Sequence, residues 1–351
     1  MTELPSQQVD SIAETAGQRP PDGRFKPPGP LGFGGAPLGN MFGRVDEDAA
    51  MGTLRVAWDE GIRYFDTAPL YGTGLSEHRF GRALRAYPRD EFVLSTKVGR
   101  LLKPNPSSQG DFGPFVGGLP FDIVHDYGAD ATMRAVEDSL QRLGMARIDI
   151  VFIHDCAEDA HGSGWRQVFD IAMRGAAVAL TRLREQGVIR AWGLGVNRVE
   201  PCRLALEQAD PDVFLLAGRY SLLNQPALDS LFPACAERGV HVVVGGPYNS
   251  GVIAGGDNYE YQRADDAVIA ARDRLIAIAS AYKVDLRAAA LQFCAAHPVV
   301  ASVIPGTKTP QRVRENVTLS RQLIPESFWF ELKRERILPE NAPTPATTTA
   351  I

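Results

Sequence analysis

Several things are scarce in this chain of 351 residues. Its four cysteines, at 156, 202, 235 and 294, show no CxxC or other close pairing. That excludes a disulfide framework or a thiolate zinc site, and it fits buried free thiols in a reducing compartment. Apolar runs are short and broken by Gly, Arg or Asp, so no segment reads as a transmembrane helix. Residues 1–30 lack the apolar stretch of a secretory signal, and a cytoplasmic protein is expected. There is no basic block: 37 Lys and Arg stand against 42 Asp and Glu, net charge −5, which argues against nucleic acid as a partner. His78, His125, His161, His241 and His297 show no ligand-like spacing, so no metal is expected. GFGGAP (32–37) and GLGVNR (193–198) each lack the third glycine of a Rossmann fingerprint. What remains is a protein that acts on a small molecule, as a monomer or small homo-oligomer.

With 44% hydrophobic and 23% charged residues, the composition is that of an ordinary globular domain. The polar, Pro-rich start is read as a flexible segment over 1–28 and PENAPTPATTTAI as a tail over 339–351, leaving one domain over 29–338. Within it lie eight apolar runs: LGFGG, IRYFD, FVLSTKV, IDIVFIH, IRAWGLGV, VFLLA, HVVVGG and ASVIPG. Runs without polar alternation suit strands buried on both faces, as parallel strands are. Helical patterns fill the gaps, and EQGVI, ERGVH and DEGIR place a glycine stop just before the next strand. The expected fold is therefore an α/β class (β/α)8 TIM barrel. Extra helix is expected over 264–297. The Gly- and Pro-rich stretch 99–129 is too long for a connector and follows the third strand, on the face where barrel active sites form.

Chemistry in a barrel gathers at the C-terminal ends of its strands. Asp66 ends the second run with Tyr71 just beyond, Lys97 lies near the end of the third, and His154 ends the fourth. Singly each has an ordinary explanation as a cap or a solvated charge; at three successive strand ends they converge on one mouth. A phenol titrates near pH 10, so an ammonium beside Tyr71 is expected to pull it down; three units would take roughly 4 kcal/mol. Asp66 would hold Lys97 charged, which disfavours a Schiff-base lysine. IPGTKTPQRVREN (304–316) offers a strand end, a turn and a helix start carrying Lys308 and Arg312, a natural phosphate site.

The strings FDTAPLYGTGLSE, LSTKVGR, EDSLQRLGMARIDIVFIHD, GLGVN and IPGTKTPQRVREN, in this order and spacing, resemble the aldo-keto reductases from about residue 30 to 323. The resemblance implies hydride transfer with NAD or NADP, with Asp66, Tyr71, Lys97 and His154 as a catalytic tetrad and Tyr71 as the general acid/base. It puts Gly34, Gly35, Asn197, Gly246, Pro247, Ser250, Gly306, Thr307, Lys308, Arg312, Glu315 and Asn316 along the cofactor. Departures are Ala217, where many members carry Gln, and the lack of a ring-stacking Tyr near Gly245. Gly306 stands where NADPH-preferring members often carry Lys, which leans the reading towards NAD, while Lys308 and Arg312 remain available to a 2′-phosphate. GFGGAPLGN, the pair His154–Asp155, GRYSLL and GGPYNSGVI resemble the branch with D-threo-aldose (L-fucose) and pyridoxal 4-dehydrogenases, which oxidise a cyclic hemiacetal to a lactone. Phe115, Tyr127, Arg219 and Tyr248 are the expected substrate contacts. An NADPH-dependent aldehyde or ketone reductase is the alternative, and a non-catalytic cofactor-binding subunit the remoter one.

Overall fold

The computed structural model describes residues 23–345. Eight parallel strands form one sheet: β1 (Phe33–Gly34), β2 (Tyr64–Asp66), β3 (Val93–Val98), β4 (Ile150–His154), β5 (Ala191–Val196), β6 (Val213–Ala217), β7 (His241–Gly245) and β8 (Val300–Ile304). The sheet closes on itself: Leu31 bridges Val303 and Gly34 bridges Gly306, both parallel. Gly32 N donates to Val303 O at 2.9 Å and Val303 N to Pro30 O at 2.8 Å. This is the expected (β/α)8 barrel.

The inner wall is apolar because each strand is buried on both faces. Tyr64, Val93, Ile150, Phe152, Ala191, Val213, Leu215, Val243 and Ile304 form the interior cluster. Burying a side chain of this size contributes about 1.5–3 kcal/mol. Helices pack outside, and Gly61, Gly187 and Gly239, in the three glycine stops, all adopt left-handed φ. The helix between β4 and β5 runs as Trp165–Ala172 and Val178–Glu185 joined by a π-turn at Met173–Ala177.

Two features pack more tightly than the sequence suggests. Arg24, within the segment expected to be flexible, is buried and donates to Pro211 O at 2.7 Å and Asp210 Oδ1 at 2.6 Å. Phe25 packs against the interior cluster. At the other end Ala342 is buried, and Lys333 Nζ donates to Glu340 O. The rest of both expected flexible ends lies mainly outside the described residues.

The stretch after β3 contains an antiparallel hairpin of Arg100–Pro104 with Phe121–His125, whose register sets Arg100 opposite His125 at the barrel mouth. A second small hairpin pairs Asn258–Tyr259 with Gln262–Arg263, its turn residues Glu260 and Tyr261 both at left-handed φ. The extra helices are Asp266–Ala281 and Leu286–Ala295, and a further one, Glu326–Arg334, follows Pro310–Ser320.

Candidate active site

Because β2, β3 and β4 are neighbours in register, Asp66, Lys97 and His154 arrive at adjacent positions on one rim. Lys97 Nζ donates to Asp66 Oδ2 at 2.7 Å and to Thr67 O at 2.9 Å. Ser95 Oγ donates to the other carboxylate oxygen, Asp66 Oδ1, at 2.6 Å, and shares a 3.0 Å hydrogen bond with the Tyr64 hydroxyl. The ammonium lies 4.7 Å from the centroid of the Tyr71 ring. That ring meets His154 edge-on at 6.0 Å and stacks on Phe115 at 5.6 Å. The four expected catalytic side chains therefore form one cluster.

Burial dominates its electrostatics. It pushes the Tyr71 phenol well above its ordinary range, reinforced by the Asp66 and Asp155 carboxylates and opposed by Arg100. This corrects the expectation that Lys97 pulls the phenol down: the Lys97 charge is neutralised by Asp66 at 2.7 Å, and desolvation outweighs what is left. Burial also drives Asp66 up and Lys97 down, each offset in part by the other's charge. His154 is held well below its usual value by burial and then by Arg100 and Lys97, so its ring is neutral. Its Nδ1 is buried without a partner.

Around His154 the sequence reading missed a second polar group. Asp155 Oδ2 lies 3.5 Å from His154 Nε2 and accepts from Arg100 Nη2 at 2.9 Å. Arg100 Nε donates to His125 Nε2 at 3.3 Å. Behind it the Tyr127 hydroxyl donates to His154 O at 2.8 Å and pairs with His161 Nε2. Arg100 and His125 lie in the loop that composition alone marked only as long; the hairpin register that joins them carries no sequence signature.

His125 permits a pH test. Burial and Arg100 lower it to about 4. The unfolded chain therefore takes up a proton near pH 6.5 that the folded chain does not, and this group's contribution to stability is lost as pH falls from about 6.5 towards 4. Urea midpoints measured from pH 7 to 4.5 are expected to fall less steeply for His125→Gln than for the wild type; parallel curves contradict the assignment.

The cluster opens into a cavity of about 830 Å³. Its lining is apolar in part, with Met41, Phe42, Leu70, Phe112 and Phe115, and polar in part, with Arg100, Asp155, Asn197, Arg219 and Glu260. Of the expected substrate contacts, Phe115 and Arg219 line it. Arg219 forms an ion pair with Glu260 and donates to Asn197 O at 2.5 Å. Tyr127 sits behind the wall, and Tyr248 lies elsewhere, donating to Asn316 Oδ1 at 2.8 Å.

The expected cofactor positions divide in three. Asn197, Gly246 and Ser250 line the cavity. There the Tyr261 hydroxyl donates to Asn197 Oδ1 at 3.4 Å, and Ser250 Oγ accepts from Tyr261 N at 3.0 Å. Gly34 and Gly306 lie at the closing seam, with Gly35 next to it against Asp66 of β2. A Cβ on Gly34 would stand 2.9 Å from Ile304 O across the seam, and one on Gly35 2.6 Å from Asp66 O on the neighbouring β2, so close packing restricts both positions to glycine. The third group surrounds the start of the helix Pro310–Ser320, capped by Thr309 Oγ, which accepts from Arg312 N. Thr307 is buried beside it and Pro247 leads from Gly246 to Tyr248. Arg312 and Arg287 both pair with Glu315, and Arg287 also with Asp285. Lys308 has no ion-pair partner among the described residues. Amide and hydroxyl groups at the cavity and a cationic helix N-terminus beyond it fit the two ends of a nicotinamide dinucleotide. Among the described residues no group of three or more His, Cys, Asp or Glu could hold a metal ion.

Comparison with known proteins agrees with this arrangement. Residues 30–334 match the profile of the Aldo/keto reductase family. The chain is 41% identical over 322 residues to the pyridoxal 4-dehydrogenase of Microbacterium luteolum, covering 88% of this chain and 94% of that one. It is 38% identical over 323 residues to the D-threo-aldose 1-dehydrogenase of a Pseudomonas species, with the same coverages. Among solved structures, the holo form of aldo-keto reductase AKR11C1 from Bacillus halodurans superposes with a TM-score of 0.65 at 25% identity, over 92% of this chain and 97% of that one.

Proposed function

The chain belongs to the aldo/keto reductase family and is an oxidoreductase of that type, and we propose that it oxidises the anomeric carbon of a cyclic hemiacetal to a lactone. The hemiacetal is pyridoxal or an aldose, as the names of two of its dehydrogenase relatives indicate, and L-fucose is the aldose that the resemblance of the sequence points to. The observation that carries this reading is the buried Asp66–Lys97 pair lying under the Tyr71 ring and facing His154 at the floor of a half-polar cavity.

The bound nicotinamide supplies the hydride acceptor. Tyr71 acts in the oxidation as its phenolate, taking the proton of the anomeric hydroxyl and becoming the neutral phenol. Lys97, fixed by Asp66 and Thr67 O, keeps a positive charge beneath that phenol as the proton arrives and leaves. The neutral His154 ring holds the substrate oxygen by a hydrogen bond. The apolar wall covers the reacting carbon and excludes water. Asn197, Gly246 and Ser250 would hold the nicotinamide end, and Lys308, Arg312 and Asn316 the adenosine end.

A second reading, an NADPH-dependent aldehyde or ketone reductase, has one observation in its favour: burial keeps Tyr71 protonated, the state a general acid needs. Initial rates separate the two. NAD or NADP with L-fucose, D-arabinose or pyridoxal is expected to give reduced cofactor at rates well above those with simple alcohols; turnover confined to NADPH with carbonyl substrates moves the protein to the reductase reading.

Of the two cations at the start of the helix Pro310–Ser320, Arg312 is paired with Glu315 and Lys308 has no ion-pair partner among the described residues, so cofactor choice rests on Lys308. Lys308→Ala is expected to weaken NADP binding by about 5- to 30-fold, the scale of one lost charge-assisted contact, and NAD binding by less than about twofold. Equal losses for both place Lys308 outside the 2′-phosphate site.

A further inference from the structure

Asp155 and Arg100 take no part in the proton chemistry assigned above, yet both line the cavity beside His154. Both side chains are largely buried, 15% and 6% exposed. An ion pair kept for stability alone is a poor use of such a position, since burial costs each charge several kcal/mol and an apolar pair of similar volume is often as stable. This pair is also incompletely used. Both Asp155 contacts, to Arg100 and to His154, fall on Oδ2, and Arg100 Nη1 is buried with no partner. Asp155 adopts φ 48°, a left-handed conformation uncommon for a residue other than glycine, and it is held there by Asp155 N donating to Gly195 O.

We propose that Asp155 and Arg100 read the hydroxyl on the carbon next to the reacting one. The proposal rests on the oxidoreductase reading of this cavity and adds to it the residues that choose among substrates. A carboxylate beside a guanidinium offers an acceptor and a donor with no net charge, which suits a neutral hydroxyl better than a carboxylate or phosphate. The place of that hydroxyl follows from the chain. Asp155 is the next residue after His154, and its Oδ2 is 3.5 Å from His154 Nε2. A substrate oxygen held on His154 and a second held on Asp155 are therefore spaced as oxygens on neighbouring carbons are. Phe115 and Phe42, which also line the cavity, would meet the apolar face of the same substrate. A site built to bind a hydroxyl rejects the analogue that lacks it, because its own polar groups are then left unpaired.

The test uses matched substrates: L-fucose against 2-deoxy-L-fucose in oxidation, and glyceraldehyde against 3-hydroxypropanal in reduction. The readout is the ratio of kcat/KM within each pair, for the wild type, Asp155→Ala and Arg100→Met. Loss of folded enzyme cancels in that ratio. The wild type is expected to favour the 2-hydroxylated member by about 10-fold or more, and each variant to bring that ratio towards one. A wild-type ratio near one overturns the proposal, as does a parallel loss on both members, which marks the pair as a support for His154 or for the fold. If neither sugar is oxidised, the aldose reading fails separately, and the glyceraldehyde pair still decides the role of Asp155 and Arg100. Turnover of neither member of either pair overturns both.

Discussion

Tyr71→Phe is expected to lower kcat by about 10²- to 10⁴-fold, the range for removal of a general acid/base, while the cofactor Kd stays within about twofold. The ring remains stacked on Phe115 and above the Lys97 ammonium in the variant, because those contacts use its face and not its hydroxyl. Only the proton-carrying oxygen is removed. Cofactor fluorescence titration beside steady-state rates checks both halves. Retained turnover removes Tyr71 from the acid/base role; loss of cofactor binding assigns it to the binding site instead.

Lys97→Met is expected to do more damage, to stability as well as to rate. Lys97 and Asp66 are both buried, with side chains 1% and 2% exposed. Removing one partner of such a pair leaves an uncompensated buried charge, at a cost of about 3–5 kcal/mol. Asp66 keeps one donor in the variant, Ser95 Oγ, and burial favours its protonation, which limits the loss. The double variant Asp66→Asn/Lys97→Met is therefore expected to be more stable than Lys97→Met alone and equally inactive. Urea unfolding of the three proteins tests this. A single variant as stable as the wild type contradicts the charge-pair account, and an active double variant contradicts the role of Lys97 beneath Tyr71.

The barrel was legible because its signal is simple. VFLLA matches β6 residue for residue, and HVVVGG contains β7. The catalytic cluster was legible for the same reason: once β2, β3 and β4 are placed side by side, Asp66, Lys97 and His154 must share a rim. What the sequence hid depends on packing. Nothing in LSTKVGR says that Asp66 uses the Lys97 charge before Tyr71 can, so the phenol was expected to shift downwards when burial in fact raises it. Tyr127 and Tyr248 are aromatic residues near strand ends, but their hydroxyls point to His154 O and Asn316. Gly34 and Gly35 read as a cofactor loop, and the sequence did not show that close packing against Ile304 O and Asp66 O also restricts them to glycine. The helix Glu326–Arg334 was missed because its nine residues lie beyond the last motif. The hairpin that joins Arg100 to His125 crosses a stretch of glycines and prolines with no periodicity to read.

The most direct test of the central claim follows one atom. L-Fucose carrying deuterium at the anomeric carbon, incubated with enzyme and oxidised cofactor, is predicted to yield the lactone and a reduced nicotinamide bearing that deuterium, with pyridoxal labelled at its hemiacetal carbon as the companion substrate. Reduced cofactor without the label, or a product oxidised at any other carbon, contradicts hydride transfer from the hemiacetal at Tyr71.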